Sequence, residues 1–434
     1  MEVVCLDSRA LAKIQAVVLI VVIFVAVVIG SGAYFLWSGT LESAETIKIG
    51  ICADLDMTRG ESIMNGAILA AEEINAQGGV LGRQIEIVGE DSDIEAGTLD
   101  TSIAIAALTR LITFHKVDFV IAGGGEDYLI ETAVEHKKIL LGTLSPSDSL
   151  TQMVIDDYDR YKYFFRLGVN GTASYVEVAD SLAYVREITG FSKVAYIALD
   201  VPQVKVITEG LDYLLPEVYG FDLVYTGVYP WGTVDFSSYF AAAEANGAEI
   251  VIPIMVGQEG IAFVKEWYER QSPMVVWGVN SVGSGDLQSW NWTEGKCEHT
   301  VAGLSAVQLG YPVTSKTLST REAYLNRWGT LPSLSAIVAY DCIRFLLYDA
   351  LQRAQTTETE AVIEALEESE VENSLEENFK FTSNHDHSFG EDNKAITIMY
   401  QWQAGGAMAI VYPKEIMEET GATYTYPDWP GAWD

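Results

Sequence analysis

The feature that most narrows the fold is a strand–helix alternation that runs once, breaks and starts again. The first series opens at Ile47-Lys48-Ile49-Gly50-Ile51, a short β-type run. The helix after it carries Met64, Ala67, Ile68, Ala71 and Ile74 on one face at three-to-four spacing. Gln77-Gly78-Gly79 stops it, as a left-handed C-terminal glycine turn would. Residues 84–88 predict a strand, 103–112 a helix, 119–122 a strand, 130–135 a helix and 139–141 a strand. The second series predicts strands over 193–199, 223–229, 250–256 and 274–279. Helices over 206–215, 236–246 and 260–270 separate them. Such alternation builds parallel sheets covered by helices on both faces. Two series predict an α/β protein of two doubly wound, Rossmann-like lobes, with ligands bound beyond the carboxyl ends of the strands.

After Thr300 the pattern is less regular: 321–328 and 336–353 read as helices, 395–403 and 408–412 as strands around Gly405-Gly406. The acidic run 358–377 reads as a solvated helix face. The aromatics between Tyr424 and Trp433 predict a tail folded back on the body.

Size and charge narrow the function. A chain of 434 residues suits two medium lobes with short additions. Its net charge of −35 repels phosphate backbones, which disfavours nucleic-acid binding. Cys5, Cys52, Cys297 and Cys342 form no CxxC pair and five histidines are scattered, so no metal or cofactor is expected. A disulfide from Cys52 to Cys297 or Cys342 stands against four unpaired thiols, and spacing leaves both open. No nucleophile elbow, zinc helix or dinucleotide fingerprint occurs, so an enzyme is not expected.

Residues 16–37 form a 22-residue apolar stretch ending in Tyr34 and Trp37. A helix of that length spans about 30 Å, the hydrocarbon core of a bilayer. Arg9 and Lys13 precede it and Glu42 and Glu45 follow, which places 1–15 in the cytoplasm and the body outside. The rival is a cleaved signal peptide, whose apolar region runs about 7–15 residues and ends in a small-residue site. This stretch is longer and lacks that site, which favours a retained transmembrane anchor with 38–46 as linker.

The run Asn65-Gly66-Ala67-Ile68-Leu69-Ala70-Ala71-Glu72-Glu73-Ile74-Asn75-Ala76-Gln77-Gly78-Gly79-Val80-Leu81-Gly82-Arg83 resembles the helix-then-glycine-turn signature of type I periplasmic binding proteins of the branched-chain amino acid (leucine/isoleucine/valine) group. Glu90-Asp91-Ser92, Phe165-Arg166, Thr233-Val234-Asp235-Phe236-Ser237, Ala339-Tyr340-Asp341, His385-Asp386 and Gln401-Trp402-Gln403 follow in the family's order. The resemblance implies a three-crossing hinge, with crossings near Arg166, Leu309 and Leu366. One lobe would then comprise 47–165 plus 310–365, the other 166–309 plus 366–415, with 416–434 as tail. It also implies closure on a small ligand and delivery to ABC permease subunits. A ligand-sensing ectodomain is the alternative use of the same lobes.

An amino acid offers a carboxylate, suited to helix N-termini, and an ammonium, which needs carboxylate or carbonyl acceptors. Strand-end loops of the first lobe supply Asp56, Arg59, Gly125, Glu126, Ser145 and Ser147 as candidates. The resemblance puts small hydroxyl residues at Ser145 and Ser147, whereas Gly123-Gly124-Gly125-Glu126 stands where the family presents a serine to the carboxylate. In the second lobe the candidates are Gln203, Gln258, Glu259 and Asn280. Gln203 replaces the family's tyrosine, and Asn280 stands near a position where relatives place a glutamate for the ammonium. An asparagine cannot neutralise an ammonium, so Glu126 or Glu259 takes that role or the ligand is a neutral amide.

Overall fold

The computed structural model describes residues 45–93, 100–143, 145, 147–168, 170–255, 258–278, 287–372, 374–375, 378–388 and 398–429. The apolar segment 16–37 with its flanks lies outside them, as do residues 430–434 of the tail. Among the described residues no helix is long and apolar enough to cross a membrane.

The first series folds into β1 (Ile47–Ala53), α1 (Thr58–Ala76), β2 (Ile85–Asp91), α2 (Thr101–Arg110), β3 (Phe119–Ala122), α3 (Glu126–Glu135), β4 (Leu140–Thr143), α4 (Asp148–Asp156) and β5 (Phe164–Leu167). Its strands form one parallel sheet in the order β2-β1-β3-β4-β5, with Ile49 in register with both Ile87 and Phe119. The central strands are buried on both faces, which is why they read as near-continuous apolar runs.

The second series gives α5 (Gly171–Thr189), β6 (Lys193–Leu199), α6 (Pro202–Tyr213), β7 (Asp222–Tyr229), α7 (Ser237–Ala245), β8 (Ile250–Ile254), α8 (Glu259–Arg270), β9 (Val275–Gly278) and β10 (Val301–Leu304). Its sheet repeats the first one's order as β7-β6-β8-β9-β10, and β13 (Ile398–Gln403) and β14 (Ala407–Tyr412) extend it antiparallel beyond β10. A short hairpin, β11 (Glu370–Val371) with β12 (Phe379–Lys380), lies between. Helix α5, strand β5 and strand β10 stand where the sequence analysis assigned nothing. In α5, Val178, Ala179, Leu182 and Val185 are buried at helical spacing behind a loop-like Gly171-Thr172 start.

The signature run has a local physical account. An added Cβ on Gly66 would lie 2.1 Å from the Ala336 carbonyl oxygen, so the glycine lets the helix Leu334–Asp341 cross α1 at backbone contact. Gly78 and Gly79 take left-handed backbone (φ 103° and 81°) as the expected stop. Asn75 then acts as a surrogate strand residue. Its Nδ2 donates to the Ile85 carbonyl at 2.8 Å and its Oδ1 accepts from the Ile85 amide at 2.7 Å, which aligns the start of β2. The tail follows expectation over the residues described: the Trp429 ring lies 4.7 Å from that of Trp267, and the Thr425 amide donates to Gln401 Oε1 at 2.9 Å.

The lobes have separate cores: the first has one around Ile49, Phe119 and Ile343 and another around Leu108, Leu129 and Phe164, and the second has one around Phe240, Trp267 and Trp277. The third crossing differs from the expectation near Leu366. Leu375, Phe379 and Phe381 pack in the first core, and Asp386 bridges to β5 at Arg166, so the chain stays with the first lobe as far as His387. The apolar side chains after the acidic helix, not the helix itself, decide where the chain leaves.

Fully buried Arg166 organises the hinge. Its Nε donates to Asp386 Oδ1 at 2.7 Å, and its Nη2 meets Asp386 Oδ2 at 2.5 Å and Asp148 Oδ1 at 3.0 Å. Asn170, which caps α5, donates to the same Asp386 at 2.8 Å, and Thr172 donates to Asp148 at 2.8 Å. The network joins β5 and α4 of one lobe to the first helix of the other.

Two predictions follow from packing and charge. Gly66→Val is expected to cost about 3 kcal/mol or more by overpacking α1 against Ala336, read as a lower denaturant midpoint with unchanged slope. Asp386→Asn leaves a buried guanidinium short of its main counter-charge and is expected to cost about 3–5 kcal/mol in the same measurement.

Candidate functional site

The parallel strands of both sheets end at helix N-termini, and the first-lobe strands end beside the hinge network. These strand-end loops hold the described candidates. At the first, Gly60 is required because a Cβ there would lie 1.9 Å from the Asp54 carbonyl oxygen. The resulting tight turn leaves Asp56 exposed and Arg59 half-buried in the first turn of α1.

The second loop carries the most informative side chain. Gly124 and Gly125 adopt φ 131° and 73°, and Gly125 caps α3 in left-handed conformation. Glu126, first residue of α3, is only 3% exposed. Its Cγ lies where a Cβ on Gly142 would come within 3.1 Å, so Gly142 makes room for it over the end of β4. Burial lifts its carboxyl to about 7, against opposing pulls from the Glu126 and Gly124 amides and from Arg59. The amides of the glycine loop therefore act on the protein's own carboxylate. Oxygen Oε1 has no hydrogen-bond partner among the described residues.

The third loop turned out to serve the hinge through its backbone. The Ser147 carbonyl accepts from Arg166 Nη1 at 2.7 Å and that of Ser145 at 3.4 Å. The Ser147 hydroxyl lies 2.7 Å from that of Ser149, while Ser145 is buried.

In the second lobe Gln203 lies in the first turn of α6, its side chain outside the described residues, and Asn280 is outside them altogether. Gln258 is exposed immediately before α8. Glu259, first residue of α8, is 7% exposed. Its Oε1 accepts from the Gly232 amide at 3.0 Å, while Oε2 and the hydroxyl of Tyr229 have no partner among the described residues. Burial, with Glu259 adding to it, holds the Tyr229 phenol above its ordinary range. Tyr229 carried no site expectation in the sequence. Its place as the last residue of a strand was the available signal.

The described loops thus offer two carboxylate acceptors, Glu126 Oε1 and Glu259 Oε2, and the Tyr229 hydroxyl, which can donate or accept, with Arg59 as the nearby cation. Such a surface suits N–H-bearing groups. Among the described residues no cluster of His, Cys, Asp and Glu could hold a metal ion. Cys52, Cys297 and Cys342 are free buried thiols in three different apolar cores, so no disulfide joins them, and burial pushes the Cys52 thiol up to about 12. Exposed Trp231 lies on the loop that bonds Glu259, whereas Trp277 is core, its Nε1 donating to Ser181 at 2.9 Å.

Comparison with known proteins gives this arrangement its context. A Leu/Ile/Val-binding protein homolog from Brucella melitensis is 24% identical over 379 residues, covering 82% of this chain and 87% of that one. The branched-chain amino acid transporter substrate-binding protein LivJ of Streptococcus pneumoniae, solved with isoleucine, superposes with a TM-score of 0.68 at 20% identity, over 85% of this chain and 100% of that one. A solute-binding protein of an ABC transporter from R. palustris, solved with benzoate, does so with a TM-score of 0.65 at 16% identity, over 85% and 96%. The family described as periplasmic binding protein matches residues 46–407, most of the chain. With two lobes of matching sheet order and helix N-termini following their strands already in place, the chain belongs to the periplasmic binding protein family, a family of solute-binding proteins and not of enzymes.

Proposed function

We propose that this protein captures an amino-acid-like solute, bearing a protonated nitrogen, between its lobes and delivers it to an ABC permease. The observation that carries the reading is Glu126: a carboxylate 3% exposed, at the N-terminus of α3, with one oxygen lacking a partner among the described residues. A buried acceptor of that kind costs folding free energy unless a donor completes it. A ligand ammonium supplies both the donor and the counter-charge. The isoleucine bound by the pneumococcal relative has such a group, whereas the benzoate of the R. palustris protein has none, and the unpaired carboxylate favours the former chemistry. The candidates Asp56, Arg59, Gly125, Ser145, Ser147, Gln203, Gln258 and Asn280 complete the proposed surround.

The same proposal places the body outside the cytoplasm, held by residues 16–37 as a single membrane-spanning anchor. The supporting observations are the length of the apolar stretch and the basic residues before it. Carbonate extraction of expressing cells should leave the full-length chain with the membrane, and a truncated mature form in the soluble fraction would refute the anchor.

The pH dependence has a defined sign. The Glu126 carboxyl stands at about 7 in the folded chain against an ordinary 4.5, so its charged form opposes folding above pH 7. That penalty fades as the pH falls from 7 towards 4.5. Glu126→Gln should therefore stabilise the ligand-free protein at pH 8 by about 1–3 kcal/mol, with no difference at pH 4. Affinity for a cationic amino acid should weaken as Glu126 protonates, about tenfold per pH unit below 7. Isothermal titration across amino acids and amides at pH 5.5 to 8 checks this, and no binding by any of them would refute the reading.

A further inference from the structure

The two lobes repeat one topology, and the repeat places a second acid opposite the first in kind. In lobe one the order β2-β1-β3-β4-β5 makes β3 the strand next to the central β1; in lobe two β7-β6-β8-β9-β10 makes β8 the counterpart of β3. The helix after β3 begins at Glu126, and the helix after β8 begins at Glu259. Both are glutamates at the first helical position, both are more than nine-tenths buried, and each has one carboxylate oxygen with no partner among the described residues. Helices α3 and α8 run 10 and 12 residues, so each sets its glutamate on a stable element.

Position alone would not make a site, because an acid in a first helical turn is a common stabilising feature. The unpaired atoms argue for more. Glu259 is fixed through Oε1 by the Gly232 amide at 3.0 Å, which leaves Oε2 unpaired, and the Tyr229 phenol, on which the Glu259 charge acts, also lacks a partner among the described residues. The Glu259 Oε2 acceptor and the Tyr229 hydroxyl, which can donate or accept, are both buried without a partner among the described residues, a costly arrangement that a protonated nitrogen can relieve, since one ammonium can donate to three partners. Asp127 adds negative charge beside Glu126, with Arg59 the cation acting on it, and Asp200 lies on the loop after β6. Arg166 is already held by Asp386 and Asp148, and Lys205 of α6 pairs with Glu209.

We propose that the solute carries two protonated nitrogens, one received by Glu126 and the other by Glu259 with Tyr229. This rests on the reading of the protein as an amino-acid-type solute binder and narrows its ligand to a chain with cationic groups at both ends. A dibasic amino acid and a simple diamine share that chemistry. The mechanism needs no covalent step: each ammonium exchanges its water for carboxylate and phenol oxygens, and each lobe contributes one charge that closure brings to the ligand.

The test compares L-ornithine and L-lysine with L-norvaline, which keeps the ornithine carbon chain but lacks its terminal nitrogen, and with putrescine. Titration calorimetry uses the full-length chain in detergent, wild type and Glu259→Gln, with a thermal melt confirming that the variant folds. Ornithine, lysine or putrescine should bind at least about tenfold more tightly than norvaline, and Glu259→Gln should bring that ratio to within about threefold. Putrescine equal to ornithine identifies the diamine as source, and ornithine tighter than putrescine identifies the dibasic amino acid. Norvaline binding as well as ornithine would overturn the second ammonium site while leaving amino-acid capture standing. A preference that survives in Glu259→Gln would overturn the role of Glu259. Failure of all four probes to bind the wild type would overturn both the narrower ligand class and the reading beneath it.

Discussion

The Arg166 guanidinium is the interaction on which the arrangement of the lobes depends. Taking such a group out of water costs several kcal/mol, and only complete pairing offsets it. Here Asp386 takes two of its nitrogens, Asp148 meets one of them, and the Ser147 carbonyl fills a further site. The partners come from two distant parts of the chain, residues 147–148 and Asp386, so the charge can be satisfied only when β5, the first turn of α4 and the segment before the third crossing meet. Asn170 and Thr172 attach the second lobe to the same acids. His385, beside Asp386, stacks on Phe165 at 4.0 Å and contacts the Phe164 carbonyl at 2.9 Å, which fixes the height of that segment against β5.

The loop around Ser145 and Ser147 is therefore also part of the hinge wall. Its carbonyls point at Arg166. The shape of the first-lobe wall is therefore coupled to the hinge through backbone groups, and a serine's identity says nothing about that.

Much of the fold was legible. Strands buried on both faces wrote themselves as apolar runs, and the helix 58–76 carried its face, its glycine stop and its crossing glycine in one stretch. Strand β5 was not legible because Arg166 interrupts a four-residue run, and its burial depends on Asp386, 220 positions away. The third crossing was misplaced for a related reason: the acidic helix looked like a boundary, while Phe379 and Phe381 beyond it decide the matter by packing. At the site, Glu126 and Glu259 were readable as strand-end acids. That each keeps an unpaired oxygen, and that Tyr229 stands beside one of them, depends on burial and angle, which sequence spacing does not carry.

The crossings also govern when the molecule can assemble. The first core needs Ile343 and Phe381 as much as Ile49, and the second sheet is edged by β13 and β14 and covered by Trp429. Both lobes are thus completed by residues from the last quarter of the sequence. Long-range pairing of this kind delays cooperative folding until nearly the whole chain is present. For a body that matures outside the cytoplasm, the chain would cross the membrane with neither lobe finished, and the order of translocation would not favour one lobe over the other.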